Sequence, residues 1–208
     1  MSAAPSRPKR DALSAFAVAG WSGFYVMLVE LLSSRLLAPF FGSSIYVWGS
    51  IIFVFMLGLA IGYLLGGLYS RGVSSVPRLA GIQALSALTT LPTLFLGEPI
   101  AGWLFDSGID VRFGSLAACV ALFFIPTVFA GMVSPYAVRI IVRDQASSGR
   151  DAGYLYFVST LGSSAGTLLT SFFFVLWWEV NTILAAGILA SLLICLIAAL
   201  TCRRRSTP

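Results

Sequence analysis

Between Glu30 and Gly67 the chain reads ELLSSRLLAPFFGSSIYVWGSIIFVFMLGLAIGYLLGG. This run is far too apolar to face water, yet it holds a carboxylate, Glu30, and a guanidinium, Arg35, inside or beside a membrane span. Insertion scales charge about 2.5–3.5 kcal/mol for such a group at a helix centre, so each needs a partner or a function. Downstream, Gly58, Gly62 and Gly66 recur at four-residue intervals, with Gly67 beside them. Small residues on one helical face let a second backbone approach closely in lipid. A polytopic helix bundle accommodates both features.

Composition agrees. The chain is 208 residues long, 58% hydrophobic and 10% charged, with a mean hydropathy of +0.93, whereas a soluble domain is roughly 25% charged. At roughly 20 apolar residues per span there is room for about six helices. No polar stretch is long enough to fold as a soluble domain. Histidine is absent, which removes Ser/His and Cys/His catalysis and the commonest metal ligand. Cys119 and Cys195 fall within spans and Cys202 at the basic edge of the last one, with no metal-site or disulfide spacing. No metal or cofactor is expected for this chain. The net charge of +5 reads as membrane topology rather than nucleic-acid binding.

The fold class expected is an all-α integral membrane protein with six spans, at about 12–37, 45–70, 79–96, 113–135, 152–176 and 181–202, between basic tails at 1–11 and 203–208. Arg7-Pro8-Lys9-Arg10 and Ala17-Val18-Ala19 mimic a signal peptide and its cleavage site. Only about five apolar residues lie between them, short of the 7–15 that such a segment needs, so the first run is read as a retained span. Pro126 predicts a kink in the fourth span that neighbouring helices repair.

Six spans put both ends on one side. Arg7, Lys9, Arg10, Arg71, Arg78, Arg139, Arg143, Arg150, Arg203, Arg204 and Arg205 then share a face, leaving only Arg35 and Arg112 elsewhere. The positive-inside rule makes that face cytoplasmic, in the inner membrane. Opposite lie Glu98, Asp106, Asp110 and Glu179, with Trp48, Trp103, Trp177 and Trp178 as an outer interfacial belt. The second span begins Ser43-Ser44-Ile45-Tyr46 and the fifth Gly153-Tyr154-Leu155-Tyr156, each followed by spaced glycines, here Gly162 and Gly166. That echo fits a 3+3 inverted repeat, as in half of a major-facilitator bundle.

The glycine ladder is expected to pack against the fifth span, Gly62 meeting Gly162; homodimerisation or lining a solute path are the alternatives. Glu30 lies about 27 Å along the first helix from Ala12, toward the outer leaflet. Arg35 is about 140° further round the helix, so the two do not stack as an i,i+4 pair. Either they clasp neighbouring helices or they form an outward-facing site for a small cation or zwitterion. Ser43 and Ser44 are expected to cap the second span and Asp151 the fifth. Residues 136–150 read as a short interfacial helix in which Arg139 and Arg143 share a face, meeting lipid headgroups or an acidic cytosolic partner.

The Glu30–Gly67 run, GMVSPYAVRIIVRD (Gly131–Asp144) and GRDAGYLYFVSTLGSSAGTLLTSF (Gly149–Phe172) together resemble the N-terminal membrane region of bacterial spermidine-synthase-like membrane proteins of the fused major-facilitator/spermidine synthase type. The resemblance implies attachment to a cytosolic aminopropyltransferase-like domain that uses decarboxylated S-adenosylmethionine. It points to Glu30, Arg35, Gly42, Ser43, Tyr46, Pro135, Arg139, Tyr156, Thr160 and Gly162 as positions to watch. Family members continue into the catalytic domain, whereas no soluble strand or glycine-rich nucleotide turn is found here. The expectation is therefore a membrane partner, non-catalytic by itself, for a separately encoded spermidine-synthase-like or methyltransferase-like enzyme. The alternative is a small oligomeric transporter of polyamines or another small polar solute. An intramembrane enzyme lacks the required acid pair or nucleophile–base spacing.

Overall fold

The computed structural model describes residues 7–72, 74–142 and 144–203. Helices α1 (Arg7–Phe41), α2 (Ile45–Tyr69), α3 (Val76–Thr90), α4 (Thr93–Asp106), α5 (Val111–Ile141) and α6 (Ser148–Leu169) follow in order. A π-helical turn (Thr170–Phe174) runs into the short α7 (Val175–Trp177), and α8 (Val180–Arg203) closes the chain. No strand occurs among the described residues. Five helical segments are individually long and apolar enough to cross a membrane, and α3 with α4 makes a sixth if that bent pair is one span. The start of α1 and the end of α8 meet at one end of the bundle, where the Cys202 thiol donates to the Asp11 carboxylate at 3.3 Å.

Two of the boundaries depart from the sequence reading. The third apolar run is not one straight span over 79–96: it breaks at Leu91-Pro92, and α3 and α4 meet at 45°. Leu91 and Pro92 keep helical backbone angles, but Pro92 has no N–H to continue the helical ladder, and the Leu91 N–H turns to the Leu88 carbonyl at 3.2 Å. The fourth run does not stop at Pro135 to leave a separate interfacial helix over 136–150. Instead α5 continues through Pro135 to Ile141 and carries Arg139 in its last turn. At Pro126, α5 runs on as one helix, and a neighbouring helix supplies the expected repair. The proline's missing N–H leaves the Leu122 carbonyl without its helical donor, and the Thr93 hydroxyl donates to that oxygen at 3.4 Å.

Helices α1 and α5 are central: about half of each apolar window is buried, against 11% for the span starting at Ser148. The expected contact between the two glycine stripes does not occur. Gly58, Gly62 and Gly66 lie against Thr127, Val128, Gly131 and Met132 of α5, while Gly162 and Gly166 lie against Gly20 and Phe24 of α1. Each stripe has found a central helix that is itself small at the crossing. A Cβ on Gly62 would lie 2.8 Å from the Gly131 Cα, so both positions must lack one for the backbones to touch. Helix α3 packs on α5 and α8, and α8 also packs on α1.

Polar groups inside the bundle pair across these crossings. The Trp21 indole donates to the Ser191 hydroxyl at 2.7 Å, tying α1 to α8. Ser50 and Ser115 share a hydrogen bond at 3.2 Å between α2 and α5. The Ser86 hydroxyl donates to the Pro126 carbonyl at 2.9 Å. Such bonds hold helices together where lipid offers no competing partner. Gly42 ends α1 at φ +73°, its N–H returning to the Ala38 carbonyl at 2.9 Å, the left-handed stop that glycine adopts without a Cβ clash.

Candidate functional site

A narrow polar cleft opens between α2 and α6, floored by the central helices. It measures about 80 Å³, and among its lining groups are Ser22, Gly23 and Met27 of α1, Leu59 and Tyr63 of α2, Ala130 and Ser134 of α5, and Ser159 and Ser163 of α6. Every helix contributes a small or hydroxyl side chain because the glycine crossings on either side draw the backbones together there. Ser163 donates back to the Ser159 carbonyl at 3.2 Å, which leaves its oxygen free to accept from an occupant. Tyr63 is about half-exposed and lies near enough to Tyr156 on α6 to interact with it electrostatically. Tyr63 thus brings a partly exposed hydroxyl to the cleft.

Glu30 shares the α1 face of Gly23 and Met27: seven residues from Gly23 is about two turns, a rotation of about 20° short of full register. It is partly buried, and its carboxylate has no hydrogen bond or ion pair among the described residues. Arg35 does not pair with it. Its Nη1 donates to the Val175 carbonyl at 3.2 Å, so the guanidinium clasps α1 to the end of the span that contains the π turn. The open question of a Glu30–Arg35 pair is therefore answered by a different partner.

The remaining candidates are dispersed. Ser43 is exposed and Tyr46 stands at the start of α2, with the Arg112 guanidinium 5.7 Å above its ring. Arg112 is held in turn by Asp110, at 2.8 and 3.0 Å, and that pair holds the Asp110 carboxyl down to about 2. Thr160 is exposed on α6 beside Tyr156. The expected caps fail: the Ser44 hydroxyl caps nothing and is buried without a partner, its carbonyl receiving the first N–H groups instead. Asp151 sits within the first turn of α6 rather than before it and accepts from the Ser147 hydroxyl at 2.9 Å. Ser147 N–H donates to Asp144 at 2.8 Å, which keeps that carboxyl below its usual range.

At the same end of the bundle as the Asp11–Cys202 contact, Arg139 and Arg150 are exposed; Arg150 makes a long, solvent-facing pair with Asp151 at 3.4 Å and also interacts electrostatically with Asp144. Arg143, together with Arg204 and Arg205, lies outside the described residues. Ser22, Tyr63, Ser134, Ser159 and Ser163 went unrecognised in the sequence. The one available signal was the four-residue spacing of Ser159 and Ser163 alongside the glycines.

Comparison of the chain with protein-family models, curated proteins and solved structures finds no match in any of the three.

Proposed function

We propose that this chain is a membrane carrier component for a small polar solute, in which two copies face one another across the α2/α6 cleft. The observation that carries this reading is the cleft itself: hydroxyls from four helices, with Glu30 on the same α1 face, open beside the least buried span in the bundle. Lipid cannot hydrogen-bond such groups. A second copy or a solute can. A carboxylate in that position favours a cationic solute, consistent with the polyamines implied by the family resemblance.

The helix pairing supports the 3+3 inverted repeat. Exchanging the first three spans with the last three turns the α1–α6 crossing into the α5–α2 crossing, and the α3–α5 contact into the α8–α1 contact. It also maps the Gly20/Gly162 approach onto Gly131/Gly62. The arginine-rich end is read as cytoplasmic and the membrane as the bacterial inner membrane, from the charge asymmetry.

Proteoliposomes containing the purified chain test this reading. Labelled spermidine or putrescine should accumulate faster than in protein-free vesicles. Ser134→Leu with Ser163→Leu should block that uptake, and Glu30→Gln should slow it. Uptake no faster than in empty vesicles for either amine would count against a polyamine carrier.

A second reading, an anchor for a separately encoded aminopropyltransferase-like or methyltransferase-like enzyme, is favoured by the exposed Arg139 and Arg150 at one end of the bundle. An acidic patch on such an enzyme would be drawn there over a screening length of about 8 Å in physiological salt. Arg139→Gln with Arg143→Gln should then weaken co-purification at low salt, the difference from the unmodified chain narrowing as added salt screens the attraction.

A further inference from the structure

Away from the α2/α6 cleft, α1 and α8 part above the Trp21–Ser191 hydrogen bond and leave an apolar groove of about 390 Å³. Its walls include Trp21, Phe24, Leu28, Phe174, Ile183 and Trp178. The π turn shapes it. One extra residue per turn rotates the end of the span, so that Phe174 packs on Phe24 at 6.4 Å and on Trp178 at 6.1 Å between ring centroids.

Trp178 is also a wall of a second space, a recess of about 550 Å³ at the end of the bundle opposite Asp11 and Cys202. Here the lining changes character: Arg35, Glu98, Glu179 and Asn181 join Phe40 and Trp178. The Arg35 guanidinium spends one N–H on the Val175 carbonyl and keeps further donors for an anion. Neither Glu98 nor Glu179 has an ion-pair partner among the described residues. One tryptophan thus joins a largely apolar groove to a recess holding one cation and two carboxylates, the mixed apolar and polar setting in which tryptophans concentrate at membrane interfaces.

We propose that groove and recess together bind one ethanolamine phospholipid, an acyl chain lying in the groove and the headgroup in the recess. Arg35 meets the phosphate through charge-assisted hydrogen bonds. Glu98 and Glu179 accept from the primary ammonium, with the Asn181 amide beside them. A choline headgroup carries no N–H for these carboxylates, and an anionic glycerol headgroup is repelled by them. The site commits to a lipid, not a soluble amine, because the apolar groove continues the recess.

The test is native mass spectrometry of the full chain in detergent, titrated with dioleoyl phosphatidylethanolamine, phosphatidylcholine or phosphatidylglycerol. One ethanolamine lipid should be retained, with an affinity about tenfold above the other two, equivalent to about 1.4 kcal/mol. Glu98→Gln with Glu179→Gln should bring ethanolamine and choline lipids level, while Arg35→Gln weakens all three. Ala186→Trp should fill the groove and remove retention altogether. Thermal melts of each variant report whether it folds. On the unmodified chain, glycerophosphoethanolamine, which lacks chains, should not displace the bound lipid. Equal retention of ethanolamine and choline lipids by the unmodified chain would overturn the proposal. So would an ethanolamine preference that survives the double Gln substitution, or displacement by the chainless headgroup.

Discussion

Gly62 of α2 and Gly131 of α5 meet backbone to backbone: a Cβ on Gly131 would lie 3.1 Å from the Gly62 Cα, and one on Gly62 would lie 2.8 Å from the Gly131 Cα. Backbone atoms cannot swing aside as side chains do. Gly62→Leu or Gly131→Leu should therefore push the helices apart, at a cost of about 1–3 kcal/mol or more. For a chain of this size each kcal/mol lowers Tm by about 2–4 °C. Gly67, whose Cβ would meet nothing within 4 Å, is the control. Detergent thermal melts should show large losses for the first two and none for Gly67→Leu.

Thr93 and Pro126 should be energetically coupled. Thr93→Val removes the donor to the Leu122 carbonyl that Pro126 leaves unpaired. Interhelical bonds of this kind average about 0.6 kcal/mol and reach about 1.7 kcal/mol. In a Pro126→Ala background the α5 backbone regains its own donor, so Thr93→Val should cost less. A double-mutant cycle with additive effects would rule the coupling out.

The Asp110–Arg112 pair predicts a pH dependence with a definite sign. The folded carboxyl sits at about 2, below its usual value of 3.8. Its contribution is present above the unfolded value and is lost as pH falls from there through the folded one. Wild type should exceed Asp110→Asn in Tm at pH 6, and the gap should close between pH 4 and pH 2. Both side chains are about half-exposed to solvent, so the gap should also narrow with added salt.

The bent α3–α4 pair predicts its own topology. If the two helices cross as one span, a reporter inserted at Gly108 lies on the opposite side of the membrane from one inserted at Gly72, in the turn before α3. A reporter fused after Pro208 should match the Gly72 insertion and be active in its cytoplasmic form. Identical reporter states at Gly108 and Gly72 would make the pair a re-entrant hairpin instead.

Much of the helical layout was legible because apolar runs of this length have few alternatives. The ends of α2 and α8 lie within a residue or two of the sequence reading. The break at Leu91-Pro92 was not, since Pro92 sits inside an apolar window whose average hides it, and α4 with Glu98 and Trp103 was taken for a loop. The glycines at 58, 62, 66, 162 and 166 correctly announced close packing. They could not name partners, because a smooth stripe specifies a permitted distance and not the helix that fills it. The cleft was harder still. Ser22, Ser134, Ser159 and Ser163 come from three helices, and a single intramembrane serine is usually satisfied by its own backbone. Only their convergence in space distinguishes them.

The way the glycine stripes pair also bears on how the protein is made. Gly20 and Gly23 on α1 wait for α6, and the α2 ladder waits for α5, whereas consecutive helices touch comparatively little. Contacts between distant parts of a chain form slowly, and incomplete intermediates expose sticky surfaces. Helices α1 and α2, made before the helices they pack on, must therefore remain in the bilayer with their smoothest faces uncovered until α5 and α6 arrive. An insertase or chaperone that shelters those faces would govern the yield of folded protein more directly than the hydrophobicity of any one span.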